Sequence, residues 1–349
     1  MTETFLLGGY TRRINTGLKS VTLEKGDELF SAHKSIASLN NPTYLCLSNN
    51  LNYLFAIHQD DPKSGLVAFK KSDNDEWQEV DRLMVSNIPG CHLSYRASSR
   101  TIYLSNYHEG ALDIFCFDEQ EQLHHIQRVE HEGSSVHPNQ TKPHIHYAGI
   151  SDDQKRLYVC DLGTDTVSTY DIDYEGKITL KHSVQLPAGC GPRHLVKHPS
   201  SNFVYIIGEL DNTTTLAYLN EDGSLTIKDR KQNIPDQFIE ESSGAAIRMS
   251  QDGLFLYVST RYHNSITVYE INQSNGRLTR IQRVNTVGKV PRDFILDQDE
   301  QYLIVAHQDS DYLSLFKREK KSGKLSFLHN ETYAPECVCI LSENFVALN

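Results

Sequence analysis

The chain has few of the features that would place it in the commonest functional classes. It has no excess of positive charge. Its formal net charge is -11, with 45 acidic against 34 basic side chains. That excludes the broad basic face a nucleic-acid partner requires, but a positive pocket for a small anion can still sit on an acidic protein. It has no CxxC pair. The 7 cysteines lack the paired spacings of a disulfide framework, and Cys337 and Cys339 form only CxC. Cys46, Cys116, Cys160 and Cys339 sit among apolar neighbours and read as small core residues of a reducing compartment. The first ten residues carry no basic segment followed by a long apolar run, so neither a signal peptide nor a transmembrane helix is expected, and the expected location is cytoplasmic. Amphipathic stretches of helical length are also lacking, which counts against a doubly wound α/β fold.

What the chain does have is a repeat of roughly 44–55 residues. A strand ends in a polar residue, a short turn follows, a second strand alternates, and Gly-x-Leu or Gly-x-Ile opens a third. The first strand reads YLFAIHQD (53–60), IYLSNYHEG (102–110), LYVCDLGTD (157–165), VYIIGELDN (204–212), LYVSTRYHN (256–264) and YLIVAHQDS (302–310). The third opens at Gly176, Gly223, Gly276 and Gly323. A further short stretch precedes each unit, often begun by proline, as in NPTYLCLS, GPRHLVKHP and VPRDFILD. Four β-branched and aromatic strands per unit, bounded by turn residues, are the signature of propeller blades.

Six units fill residues 42 to 334, and the termini complete a seventh. FLLGGYT (5–11), GLKSVTL (17–23) and ELFSAHK (28–34) supply its outer strands, and PECVCILS (335–342) its innermost. Sharing the closing blade between the termini leaves no open sheet edge where the ring closes. The expected fold is an all-β, seven-bladed propeller with four antiparallel strands per blade, a single domain over residues 1–349.

Aligning the strand ends places Gly9, His58, Asn106, Asp161, Glu209, Arg261 and His307 at one register. Equivalent positions of successive blades lie on one ring, so these residues converge if the register is right. The innermost strands add His92 in GCHLS, His144 and His146 in KPHIHY, Arg193 and His194 in GPRHL, and Arg292 in PRDF. Structural roles compete with functional ones. His146 or His194 can be packed inside a blade, Arg292 can pair with Asp293 or Asp297, and Arg193 can pair with Glu209. The HxH spacing of His144 and His146 puts two imidazoles on one face of a strand. Together with Glu209 or Asp161 they could form a metal site, but converging arginines repel a cation and no metal is expected. The pair His124 and His125, and His137, read as solvated.

The chain resembles the propeller-type lactonase family, which includes one class of 6-phosphogluconolactonase and the carboxy-muconate lactonizing enzymes. The resemblance spans essentially the whole chain. It rests on GCHLS (90–94), YVCDLGTD (158–165), GCGPRHLVKHPSSNFVYIIGEL (189–210), SQDGLFLYVSTRYHNSITVYEI (250–271) and VPRDFILDQDEQYLIVAHQDS (290–310). It implies catalytic roles for Arg193, Glu209 and His144 or His146, further site positions at Arg261 and Arg292, a small anionic lactone as substrate, and no cofactor. His58, His92, Asn106, Asp161 and His307 complete the expected substrate-binding set from the repeat register. The chain departs from the family pattern at Gly208-Glu209-Leu210, at Ser259-Thr260-Arg261, and at Ala245-Ala246-Ile247, where relatives often carry a carboxylate.

Lactone hydrolysis needs an activated water and a stabilised oxyanion. Glu209 or a histidine at 144–146 can serve as general base, Arg193 can face the oxyanion or the substrate carboxylate, and Arg261 with Arg292 can hold a remote phosphate or carboxylate. Two other readings fit the same residues: a cycloisomerase closing a carboxylated muconate, or a propeller that only binds a ligand or protein.

Overall fold

Among the described residues of the computed structural model every regular element is a β-strand, and the strands form seven antiparallel sheets. The structure describes residues 1–345. Six sheets have four strands each, spanning residues 45–86, 92–130, 145–185, 192–232, 243–285 and 291–333. These are blades 1 to 6 of a seven-bladed propeller.

Both ends of the chain build blade 7. Thr2–Gly9 lies between Gly17–Glu24 and the C-terminal Cys337–Ser342, antiparallel to both. The outermost strand departs from the sequence expectation. Instead of one strand over 28–34, Leu29–Phe30 and Lys34–Ser38 pair separately with Gly17–Glu24. Between them the Ser31 hydroxyl accepts the Thr22 N–H at 3.0 Å, so a side chain takes the place of a ladder carbonyl.

The Gly-x-Leu phrase has a packing cause. The tyrosine on the second strand of one blade donates its hydroxyl to the glycine carbonyl that precedes the outermost strand of the next. Tyr103 reaches Gly176 at 2.9 Å, Tyr205 reaches Gly276 at 2.7 Å, and Tyr257 reaches Gly323 at 2.9 Å. Gly176 has φ of 89°, and a Cβ there would lie 2.0 Å from the Thr101 hydroxyl, so only glycine fits. Each tyrosine ring is thus buried while its polar tip is satisfied.

The chain divides into two compact units. One comprises Leu39–Arg193 and Asn220–Leu225; the other comprises Met1–Ser38, His194–Leu219 and the residues from Thr226 onward. In the first, Tyr103, Ile114, Ile145, Val159 and Tyr170 share one core. In the second, Phe5, Val21, Ile304 and Leu315 belong to one core cluster and Tyr205, Ile247 and Tyr269 to another. Cys46, Cys160, Cys337 and Cys339 are buried thiols. Burial raises the pKa of Cys46 and Cys160 and pushes Cys337 up to about 12, which leaves them inert. No helix of the described residues is long and apolar enough to cross a membrane.

Candidate active site

The unit containing Leu39–Arg193 gathers histidines against tyrosines. The His144 ring stacks on Tyr107, with centroids 4.3 Å apart and planes 15° from parallel, and His146 meets the same ring edge-on at 5.7 Å. His144 Nδ1 lies 2.8 Å from the Tyr107 carbonyl. A carbonyl only accepts, so Nδ1 carries the proton and the Nε2 lone pair is left to act as an acceptor. His92 is fully buried between Tyr44 at 4.5 Å and Tyr147 at 4.6 Å. Its Nδ1 accepts the Ala148 N–H at 3.4 Å.

Two buried aspartates hold this arrangement. Asp161 Oδ1 accepts the N–H of His144 at 2.8 Å and of Gly163 at 3.0 Å. Its Oδ2 lies 2.8 Å from His131 Nδ1, and His131 Nε2 lies 2.7 Å from the Tyr170 hydroxyl. Four residues on, Asp165 accepts four donors. They are Ser135 Oγ at 2.5 Å, Gln140 Nε2 at 2.7 Å, Gly189 N at 2.7 Å and Gly191 N at 2.6 Å. The last two fix the backbone immediately before Arg193, itself buried on Pro192–Lys197, the innermost strand of blade 4.

In the other unit, Glu209 and Arg261 meet. Arg261 Nη2 is 2.9 Å from Glu209 Oε2 and donates to the Gly244 carbonyl at 3.1 Å. The Gly244 N–H donates in turn to the Glu209 carbonyl at 3.0 Å. A Cβ at Gly244 would lie 2.5 Å from the Gly208 oxygen, so this close backbone approach requires glycine. Ala245, Ala246 and Ile247 follow on the same strand, all buried, and the Ala246 N–H bonds Ser259 Oγ at 2.9 Å. Arg292 Nη1 reaches Gln308 Oε1 at 3.4 Å, and its guanidinium lies 5.8 Å from the Tyr10 ring centroid. Asp293 also lies 3.1 Å from Arg248, and Asp297 2.7 Å from Lys25.

Several residues of the expected binding ring are buried and bonded within the protein. Asn106 is wholly buried, and its amide donates to the Ile88 carbonyl and to Glu109. Asp161 is wholly buried on the contacts above. His307 is wholly buried, with Nδ1 donating to the Tyr312 carbonyl at 3.0 Å, and burial lowers its pKa to about 4. His58 Nδ1 accepts the Asn40 N–H at 3.3 Å, and burial, with Arg82 beside it, lowers its pKa. The histidines read as solvated are partly paired: His124 with Asp118 at 2.7 Å and His125 with Asp113 at 2.9 Å. Sequence reasoning missed Tyr107, His131 and Asp165. The YVCDLGTD phrase contains Asp165, but nothing local shows that its partners lie some 25 residues to either side.

A seven-bladed all-β fold whose strand ends carry His, Glu and Arg defines the class as a β-propeller. The comparisons narrow it. The family model described as lactonase, 7-bladed beta-propeller, matches residues 4–342, and the chain belongs to that family. It is 36% identical over 342 residues to an uncharacterized protein of Lactococcus lactis subsp. lactis, covering 98% of this chain and 99% of that one. It is 33% identical over 337 residues to a Bacillus subtilis protein named 6-phosphogluconolactonase, covering 96% of each. A crystal structure of a Lactobacillus plantarum protein superposes with a TM-score of 0.94 at 32% identity, covering 98% of this chain and 99% of that one.

Proposed function

We propose that this protein hydrolyses a sugar-acid lactone, with 6-phosphogluconolactone as its substrate and 6-phosphogluconate as product. The observation that carries the reading is the tautomer of His144. Its Nδ1–H is committed to the Tyr107 carbonyl, which leaves Nε2 to take a proton from water. Glu209 already holds Arg261, so the base role falls to the histidine and Glu209 acts by orienting that guanidinium. The water oxygen adds to the lactone carbonyl as His144 accepts its proton, and Arg193 stabilises the oxyanion. Collapse breaks the ring C–O bond, and the leaving alkoxide takes the proton back from His144. The 6-phosphogluconolactonase relative supports the choice of substrate. The mechanism needs no metal ion.

The test is pH-stat measurement of 6-phosphogluconolactone hydrolysis above the spontaneous blank, with and without a chelator. The expected result is an enzyme-dependent rate that chelation leaves unchanged. Arg193→Lys should lose roughly a hundredfold in kcat, because lysine keeps the charge but not the planar fork. A rate equal to the blank would overturn the reading.

A further inference from the structure

The outermost strand of blade 5, Leu278–Asn285, carries a pair of arginines that its register brings together. Three residues apart on a regular strand, Arg280 and Arg283 would point to opposite faces. Here Arg280 pairs with Tyr269, Gln282 with Val268 and Arg283 with Thr267, so Ile281 is the extra residue of a bulge. Tyr269 and Thr267 are two apart and share a face. Their partners share it too, so the two arginines stand side by side, about 7 Å apart along the strand. All these residues lie in the compact unit that includes the chain from Thr226 onward.

Among the described residues neither arginine meets a carboxylate. Arg283 Nε donates to the Asn233 carbonyl at 3.0 Å and lies 3.3 Å from Thr267 Oγ1. Its Nη2 is shut away from solvent without an acceptor. Asn233 is wholly buried, with Oδ1 accepting the Thr214 and Tyr269 hydroxyls and Nδ2 left without a partner. Arg280 is exposed and makes no hydrogen bond. Burial, with Arg280 beside it, lowers the pKa of Arg283, and burial followed by Arg283 lowers that of His263. The neighbouring acids are engaged elsewhere: Asp211 holds Arg230, and Asp229 lies 3.8 Å from Arg277. The outermost strands of blades 4 and 5 together carry Lys228, Arg230, Lys231, Arg280 and Arg283 against Asp229 alone, on a chain of net charge -11. Such a local surplus attracts anions, and a buried cationic donor left bare costs stability until an anion fills it. One guanidinium fork suffices for a carboxylate. Two forks side by side suit a tetrahedral phosphoryl group, which offers oxygens to both.

We propose that Arg280 and Arg283 bind a phosphoryl group at the outer edge of blade 5, two strands outward from the strand of Arg261. The ligand is a small phosphate, either the free ion or a monoester. The site does not rest on the lactonase reading, and its occupancy is read without turnover.

The experiment is calorimetric titration of wild type, Arg280→Gln and Arg280→Lys with inorganic phosphate, glycerol 3-phosphate and acetate at one ionic strength. Wild type should bind both phosphates, and acetate at least about tenfold more weakly. Arg280→Gln should weaken both phosphates about tenfold, and Arg280→Lys should recover only part of the loss, because lysine keeps the charge but not the fork. Tighter binding of glycerol 3-phosphate than of inorganic phosphate supports a monoester as the ligand, and the reverse order supports the free ion. Phosphate binding in Arg280→Gln equal to the wild type's, acetate binding as tight as phosphate, or no phosphate binding by wild type overturns the site. Arg280 is exposed and makes no fold contact by hydrogen bond or ion pair, so both variants should melt with the wild type.

Discussion

Asp161 and Glu209 stand at the same register, at the ends of the second strands of blades 3 and 4, yet they do different work. Asp161 is wholly buried, and its oxygens are taken by two backbone N–H groups and His131. Glu209 retains some exposure, 15 % of its side chain, and reaches across to Arg261 on the next blade. The difference has two causes. A short aspartate beside a turn of the form Asp-x-Gly folds back onto its own N–H groups. A glutamate is one methylene longer, and it reaches a guanidinium of the next blade instead. Equivalent positions in a repeat therefore share location but not role, and the following residues decide which carboxylate becomes scaffold.

The comparison breaks most visibly if Asp161 can be removed without harm. Asp161→Ala leaves the buried N–H groups of His144 and Gly163 without their acceptor and His131 without its carboxylate. The expected loss is on the order of 3–5 kcal/mol of folding stability. A urea midpoint equal to the wild type's would show that the carboxylate is not a scaffold.

His307 sharpens the same point for a third residue of that register. Burial holds its folded pKa at about 4, against an ordinary 6.5. The folded state excludes the proton that the unfolded chain accepts. Its contribution is therefore complete above pH 6.5, is lost progressively as pH falls from 6.5 to about 4, and changes no further below that. The loss amounts to about 3 kcal/mol. Thermal melts of wild type and His307→Asn across this window should show the wild type declining more steeply. Parallel curves would contradict the burial argument.

Glu336 extends the comparison to a carboxylate far from that register that also sits on backbone N–H groups. Burial alone would raise its pKa, but the N–H groups of residues 12–15 outweigh burial and lower it. The stability it contributes is present above the ordinary 4.5 and is lost as pH falls through the depressed value. Glu336→Gln should cost about 1 kcal/mol at neutral pH and lessen the acid sensitivity. Identical melts at pH 7 would remove the clamp from the account.

The fold was legible in the sequence because its punctuation has local causes. The glycines at 176, 276 and 323 mark a tight approach beneath a tyrosine, while at Gly223 the Thr169 hydroxyl takes the carbonyl, and each strand end is followed by its own turn. The outermost strand of blade 7 was misread because Ser31 replaces a backbone carbonyl with a hydroxyl, a substitution that leaves no trace in the strand pattern. The register of Glu209 and Arg261 was legible for the same reason as the blades. Their pairing was not, because Arg261 lies in the next blade, one repeat further along the chain. The burial of Asn106, Asp161 and His307 was hidden because a polar strand end looks alike whether it faces a ligand or its own turn. Asp165, Glu336 and Arg12 were invisible because their partners are distant in the chain, up to 324 positions for Arg12 and Glu336.

The central claim is that Glu209 orients the Arg261 guanidinium for the reaction proposed above, whereas Asp161 holds the fold. It is tested most directly by measuring lactone turnover and the melting curve of Glu209→Gln beside those of Asp161→Asn. The account predicts that Glu209→Gln loses kcat by roughly a hundredfold while melting within about 2 °C of the wild type, and that Asp161→Asn melts at least about 5 °C lower. Full turnover in Glu209→Gln together with a lowered melting temperature would contradict it.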